Sequence, residues 1–371
     1  MAITSINPAT GKTINTYDEM TPEQAAAAVA QAHETWRTWR ATSFAERAKP
    51  MKKAAELLRK RKDELAKLMA VEMGKPLKQG AAEVEKCAWA CDHYADSAEA
   101  HLAAEVIKTE AAKSYVVFEP LGVVLAIMPW NFPLWQVYRF AAPALMAGNV
   151  GVLKHASNVP GCALVIEEIF NQAGFPEGAF RSVIIGNAEV RAVIEHPLVR
   201  AVTLTGSTPA GMAVASQAGA VLKKTGLELG GSDPYIVLED ADLDQAVQTC
   251  VNSRLINAGQ SCIAAKRFIV VESVRATFTD RFVALMKTKR MGDPLEEGTD
   301  VGPQAAQSPR RLAQAGARIS GARRKASLWR RGASWTGSVL PADRSCGRKT
   351  GHARVRRRAL RSRRRDHRRQ G

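Results

Sequence analysis

One cysteine, Cys262, closes the stretch NAGQSC at residues 257–262, behind Gly259, Gln260 and Ser261. Cysteines that only pack sit inside apolar runs. Small and polar neighbours instead keep a loop open, and an open loop is where a thiolate can meet a substrate. A thiolate is strongly nucleophilic and later a good leaving group, so the chemistry on offer is covalent attack on a carbonyl carbon. Four further segments fall at the ends of expected strands: MPWNFP (128–133), LKHAS (153–157), TGSTPAG (205–211) and LELGG (227–231). Taken one at a time, each has an ordinary explanation: Asn131 as a turn residue before Pro133, 206–211 as a strand-to-helix turn, and Glu228 as a solvated carboxylate.

The flanking sequence describes a scaffold that could hold these segments together. From residue 114, short β-branched runs alternate with helical ones: YVVFEP, GVVLAIM, GVLK, a helix through CALVIEEIFNQAG, then SVIIG and AVTLTG. Strands that are apolar throughout and separated by helices make a parallel sheet covered on both faces, so the fold class is α/β with a Rossmann-like sheet. Such sheets bind ligands beyond the carboxyl ends of their strands, where the four segments fall. Ahead of the sheet, Thr21 with Gln24, and Pro22 at the first helical position, reads as a capped helix start, and Ser43 with Glu46 repeats the signal. Leu58, Leu65, Leu68 and Met69 share one helical face, which Gly74 and Pro76 terminate.

Composition narrows the function class. At 46% hydrophobic residues over 371 the chain is an ordinary globular protein. Its apolar run LGVVLAIM is far shorter than the roughly 20 residues of a membrane helix. MAITSINPATGK has no signal-peptide pattern. Six scattered cysteines make no disulfide framework, and without CxxC or HxxxH spacing no metal site is expected; the natural compartment is a reducing cytoplasm. Cys87, Cys91 and His93 read as ordinary core and surface residues of a helix. The net charge of +17 belongs to one end: residues 303–371 hold 21 of the 53 Lys and Arg but 2 of the 36 acidic residues, which leaves the first 302 residues at −2. The body therefore has no electrostatic footprint for nucleic acid.

Together with GQSC, in this order and spacing, the four segments closely resemble the aldehyde dehydrogenase superfamily, from NPATGK to about Gly302. The match of PLGVVLAIMPWNFPLWQVYRF, LELGGSDPYIVLEDADL and MGDP resembles its succinate-semialdehyde branch. The resemblance implies oxidation of an aldehyde to an acid with NAD or NADP. Cys262 would be the nucleophile, Glu228 the general base, raised in pKa by burial, and Asn131 an oxyanion donor beside the Cys262 backbone N–H. Lys154 and Ser157 would face the adenosine ribose, and Ser207, with Gly206 and Gly211, the pyrophosphate; Trp130 and Leu229 complete the cofactor contacts. Neutral Ser157 replaces a glutamate that repels a 2′-phosphate, so NAD and NADP both remain open. Arg139 would bind the distal carboxylate of a four-carbon semialdehyde.

The expected division is a dinucleotide-binding domain over 1–228, with an oligomerisation hairpin near 101–119, a partial α/β catalytic domain over 229–302, and a disordered Arg-rich tail over 303–371. The tail lacks the family's EEIFGPV-like motif and has the texture of a GC-rich gene read out of frame, which would compromise both activity and the family's homo-oligomeric assembly. Two other functions fit an Arg-rich tail on a dinucleotide fold: a non-catalytic dinucleotide-binding protein, and a protein that contacts nucleic acid nonspecifically through the tail.

Overall fold

The chain begins with an antiparallel pair, β1 (Ala2–Ile6) and β2 (Thr13–Asp18), in a computed structural model that describes residues 2–303. All of the expected tail except Pro303 lies outside the described residues. Both capping boxes form. Thr21 and Gln24 exchange side-chain and backbone hydrogen bonds at the start of α1 (Pro22–Trp39), and Ser43 and Glu46 do the same for α2 (Phe44–Lys60). The single helical face expected around Leu58 and Leu65 is divided between α2 and α3 (Lys62–Met73), because Arg61 leaves helical geometry at φ −98° and ψ 15°. Gly74 ends α3 in the left-handed region at φ 78°, and α4 (Leu77–His101) follows, with Cys87 and Cys91 fully buried in the core. The expected hairpin pairs only β3 (Glu105–Val106) with β4 (Tyr115–Val116), so most of YVVFEP lies outside any ladder.

The central sheet then unfolds in strict alternation: β5 (Val123–Met128), α5 (Trp135–Met146), β6 (Val150–His155), α6 (Pro160–Gln172), β7 (Phe180–Ser182), α7 (Val190–Glu195), β8 (Val199–Gly206), α8 (Thr208–Ala220) and β9 (Lys224–Leu229). All neighbours pair in parallel, in the order β7-β6-β5-β8-β9. From β5 the chain steps outward through β6 to β7. It then returns to the far side of β5 with β8 and steps the other way to β9. The crossover connections therefore diverge between β5 and β8, leaving a crevice at their carboxyl ends. Strands β5 and β6 are buried almost throughout, while the edge strand β9 is largely exposed.

Beyond the sheet, β10 (Pro234–Val237), α9 (Leu243–Leu255), β11 (Arg267–Val270) and α10 (Glu272–Lys287) form a smaller layer, in which β10 and β11 pair in parallel. Its core of Val237, Val247, Cys250, Val251 and Phe278 shares no member with the large core around the central sheet. Among the described residues no helix is long and apolar enough to cross a membrane.

Close packing at the sheet centre makes a test. A Cβ added at Gly151 in β6 would stand 2.9 Å from the Phe180 ring, which is itself buried. Gly151→Ala is expected to destabilise the chain by about 1–3 kcal/mol, read as a lowered urea midpoint with an unchanged slope.

Candidate functional site

Helix α9 delivers the loop that carries Cys262 through an unusual turn. Asn257, Ala258 and Gly259 all have positive φ, at 53°, 55° and 78°. The left-handed region costs an ordinary L-residue such as Ala258 about 1–2 kcal/mol, so the surroundings must over-determine the turn. They do: the Asn257 side-chain amide donates to the Asn131 carbonyl, the Ala265 N–H donates to the Ser253 carbonyl at 3.1 Å, and the Arg254 guanidinium donates to the Ala265 carbonyl at 3.1 Å. Cys262 emerges from this turn partly exposed, whereas Cys87, Cys91, Cys162 and Cys250 are buried. Burial pushes those four thiols up and away from the thiolate form. Cys262 is thus the accessible thiol among the described residues.

Asn131 follows β5, at the crevice, and its side-chain N–H donates to the Gln260 carbonyl at 2.8 Å. An amide nitrogen carries two hydrogens, so a second donor remains beside the loop that holds Cys262. The carbonyl of Pro133 accepts from His155 Nε2 at 2.9 Å. Because the Ala156 N–H donates to Nδ1 of the same ring, at 2.8 Å, the proton belongs on Nε2. His155 is buried, and this desolvation lowers its pKa to about 4.

Glu228 departs from expectation. Burial was to raise its pKa, yet its side chain is 62% exposed. The reason is its place on the edge strand. Leu229 packs toward α8, where its Cδ2 lies 2.6 Å from the position a Cβ would take on Gly211. Strand alternation turns Glu228 to the opposite face, which is open. There it pairs with Arg139 at 3.5 Å, and Arg139 also reaches the Thr205 hydroxyl at 3.4 Å. These three residues, with Gln136, Met128 and Phe140, line part of one cavity of about 580 Å³. Cys262 does not line it. Lys266 links the two segments by donating to the carbonyls of Cys262 and Gly231.

The donor set fits a dinucleotide. Of the helices that leave the carboxyl ends of β5, β6 and β8, the first two have their N-terminal amides occupied: Glu83 accepts from Leu134 and Trp135, and Glu72 from Gly161 and Cys162. Helix α8 opens instead on half-exposed Gly206 and exposed Ser207, whose hydroxyl caps Ala210 at 3.4 Å; Pro209 has no N–H, so the Thr208 amide and the Ser207 hydroxyl are what this helix start presents to a pyrophosphate. Gly211 and Leu229 serve this end of the sheet by packing on each other. Lys154 is buried at the end of β6, its ammonium on Asn187 at 2.9 Å, and burial lowers its pKa. Ser157 lies exposed just beyond, and Trp130 is half-buried against the core. Thr205 opens the TGSTPAG segment, but nothing local marks its hydroxyl as a partner for Arg139; Asn187 and Lys266 sit in segments without a local pattern, Lys266 carrying at most its four-residue spacing from Cys262 as a signal.

The sequence model described as "Aldehyde dehydrogenase family" matches residues 1–325. A probable succinate-semialdehyde dehydrogenase (NADP+) of Synechocystis is 55% identical over 305 residues, covering 82% of this chain and 67% of that protein. The succinate-semialdehyde dehydrogenase (NADP+) of Mycobacterium avium is 52% identical over 314 residues, covering 84% and 66%. A solved structure of succinic semialdehyde dehydrogenase from Streptococcus pyogenes in complex with NADP+ superposes with a TM-score of 0.83 at 36% identity, covering 86% of this chain and 70% of that one. The chain thus spans about two thirds of the length of these relatives.

His155 gives the site a pH dependence. With a folded pKa of about 4 against 6.5 unfolded, the unfolded chain takes up a proton that the folded one refuses as pH falls below 6.5. Stability contributed by the neutral ring is therefore full above that pH and is lost toward pH 4, by on the order of 2–3 kcal/mol. In urea melts between pH 7 and 4, His155→Gln is expected to lose less stability than the parent by about that amount.

Proposed function

The chain belongs to the aldehyde dehydrogenase family, and from that premise we propose that it oxidises a carboxylate-bearing aldehyde, succinate semialdehyde, to the acid with NADP. The observation that carries this reading is the hydrogen bond from Asn131 to the Gln260 carbonyl, which builds the amide donor and the nucleophile loop as one unit. The Cys262 thiolate attacks the aldehyde carbon, and the carbonyl oxygen becomes an oxyanion held by the second Asn131 N–H and the Cys262 backbone N–H. Preorganised donors of this kind are each worth about 2.7–4 kcal/mol. A nicotinamide nucleotide held at this rim by Ser207 and Lys154 would supply the hydride acceptor that oxidation of the hemithioacetal carbon to the thioester requires. Glu228 then takes a proton from a water, the hydroxide adds to the thioester, and the Cys262 thiolate leaves as the acid forms.

Ser207 and the Thr208 amide hold the phosphates, Lys154 the ribose, and neutral Ser157 admits a 2′-phosphate without charge repulsion. The Mycobacterium avium and Synechocystis relatives, both named for NADP+, support that choice of nucleotide. Arg139 meets the distal carboxylate of the substrate. In the absence of substrate it rests on Glu228, in an exposed pair worth under about 1 kcal/mol, so a substrate carboxylate displaces Glu228 at little cost.

Two mutational outcomes check this. Cys262→Ala is expected to abolish NADP-linked oxidation of succinate semialdehyde, while Glu228→Gln retains a burst of about one equivalent of reduced nucleotide without steady turnover; steady turnover in either variant refutes the assigned role. Arg139→Ala is expected to raise KM for succinate semialdehyde by roughly ten- to a hundredfold, the worth of about 1.5–3 kcal/mol for a charged hydrogen bond, and to leave KM for butyraldehyde nearly unchanged. Equal effects on both substrates remove Arg139 from recognition.

A further inference from the structure

We propose that the buried ion pair Lys75–Glu83 is a positioning device for Asn131, holding the backbone of residues 131–135 so that the side-chain amide stays aimed at the Cys262 loop. This rests on the reading of Cys262 and Asn131 given above. The two side chains are 1% and 2% exposed and pair through Glu83 Oε2. The other carboxylate oxygen, Oε1, accepts from the backbone N–H groups of Leu134 at 3.0 Å and Trp135 at 2.9 Å, and the Lys75 ammonium lies 4.2 Å from the centroid of the Phe132 ring. With His155 on the Pro133 carbonyl and the Cys262 loop on Asn131 itself, each residue from 131 to 135 has its own anchor.

Burying two charges is poor practice for stability alone, because desolvation commonly offsets their attraction and apolar replacements of similar volume are often neutral or stabilising. What apolar side chains cannot do is accept two N–H groups at a fixed point. A carboxylate can, and Lys75 supplies the counter-charge beside it. The two positions are set by different elements: Lys75 follows the left-handed Gly74 turn, and Glu83 sits in α4. The same corner receives the end of the described chain, where the Leu77 N–H donates to the Pro294 carbonyl at 3.1 Å and Gln79 donates to the Asp300 carbonyl at 3.0 Å. A shift of about 1 Å at a reacting group can cost on the order of a hundredfold in rate, so this corner has leverage over the oxyanion donor without touching substrate.

The test uses the full 371-residue chain without nucleotide and follows alkylation of Cys262 by iodoacetamide, read by peptide mass spectrometry, with and without butyraldehyde. The aldehyde protects by adding reversibly to the thiol: a sulfur–carbon bond forms, the thiol proton passes to the carbonyl oxygen, and nothing is oxidised. Four proteins are compared: the parent, Asn131→Ala, Lys75→Met with Glu83→Leu, and Lys75→Met with Glu83→Gln. The first double variant buries no charge and keeps a similar volume, so it is expected to melt near the parent while its protection by aldehyde weakens about tenfold, close to that of Asn131→Ala. The second keeps one acceptor for Leu134 and Trp135 and is expected to recover much of the protection.

If the Met/Leu variant melts cooperatively and is protected like the parent while Asn131→Ala is not, the pair serves only the fold and the proposal is overturned. If Asn131→Ala is itself protected like the parent, the oxyanion reading fails separately. The pair is then judged by hydrogen exchange of the Leu134 and Trp135 amides in the Met/Leu variant, where unchanged exchange overturns it. Should Met/Leu not fold, the Met/Gln variant carries both comparisons.

Discussion

Strand β5 pairs in parallel with β6 on one side and β8 on the other; the connection from β5 runs through α5 to β6, and the one from β8 runs through α8 the opposite way to β9. Every functional assignment depends on that divergence. A parallel ladder sends all its chain crossings to the same end of the sheet, so 128–133, 205–211 and 227–231 arrive on one rim although up to about a hundred residues separate them. Cys262 reaches that rim from outside the sheet, after a turn with three residues at positive φ. The strain in that turn is sustained because its polar groups bond to the segment after β5. Asn131 and the loop that carries Cys262 thus hold each other in place.

The parts of this arrangement legible in the sequence were those whose cause is local. Thr21 with Gln24 and Ser43 with Glu46 announce helix starts because their hydrogen bonds close within three residues. The runs at 123–128 and 150–155 announce buried parallel strands because both of their faces are covered. Cys262 stood out by the company it keeps in a loop, whereas Asn131 read locally as a turn residue and took on a role only through the family resemblance. The rest depended on partners far away in sequence. Nothing around Glu228 says that β9 will be an outer strand, so its exposure and its pairing with Arg139 could not be foreseen. His155 reads as one more residue of an apolar strand until Pro133, 22 residues earlier, provides its acceptor. The break at Arg61 was hidden because the apolar spacing continues across it.

Carboxylates placed at helix starts recur through the larger core. Glu72 accepts from Gly161 and Cys162 and from the Ser5 hydroxyl at 3.0 Å, tying the N-terminal strand to α6; burial pushes its pKa up while these donors pull it down. Glu83 does the same for α5. The helix macrodipole favours negative charge at these points. The start of α8 is capped only by the neutral Ser207 hydroxyl and has no acidic residue in its first turn, so negative charge from outside meets no competing carboxylate there.

The two apolar cores have different sizes and no common member, and this governs the order in which the protein loses its abilities. Cooperativity extends only as far as side chains interlock, and the smaller layer interlocks through five buried residues. Under rising heat or denaturant the smaller layer is expected to open first, taking Cys262 away from Asn131 while Lys154 and Ser207 stay with the central sheet. Nucleotide affinity outlives chemistry in such a molecule. Its useful lifetime is set by the weaker of its two halves, whatever the melting point of the whole.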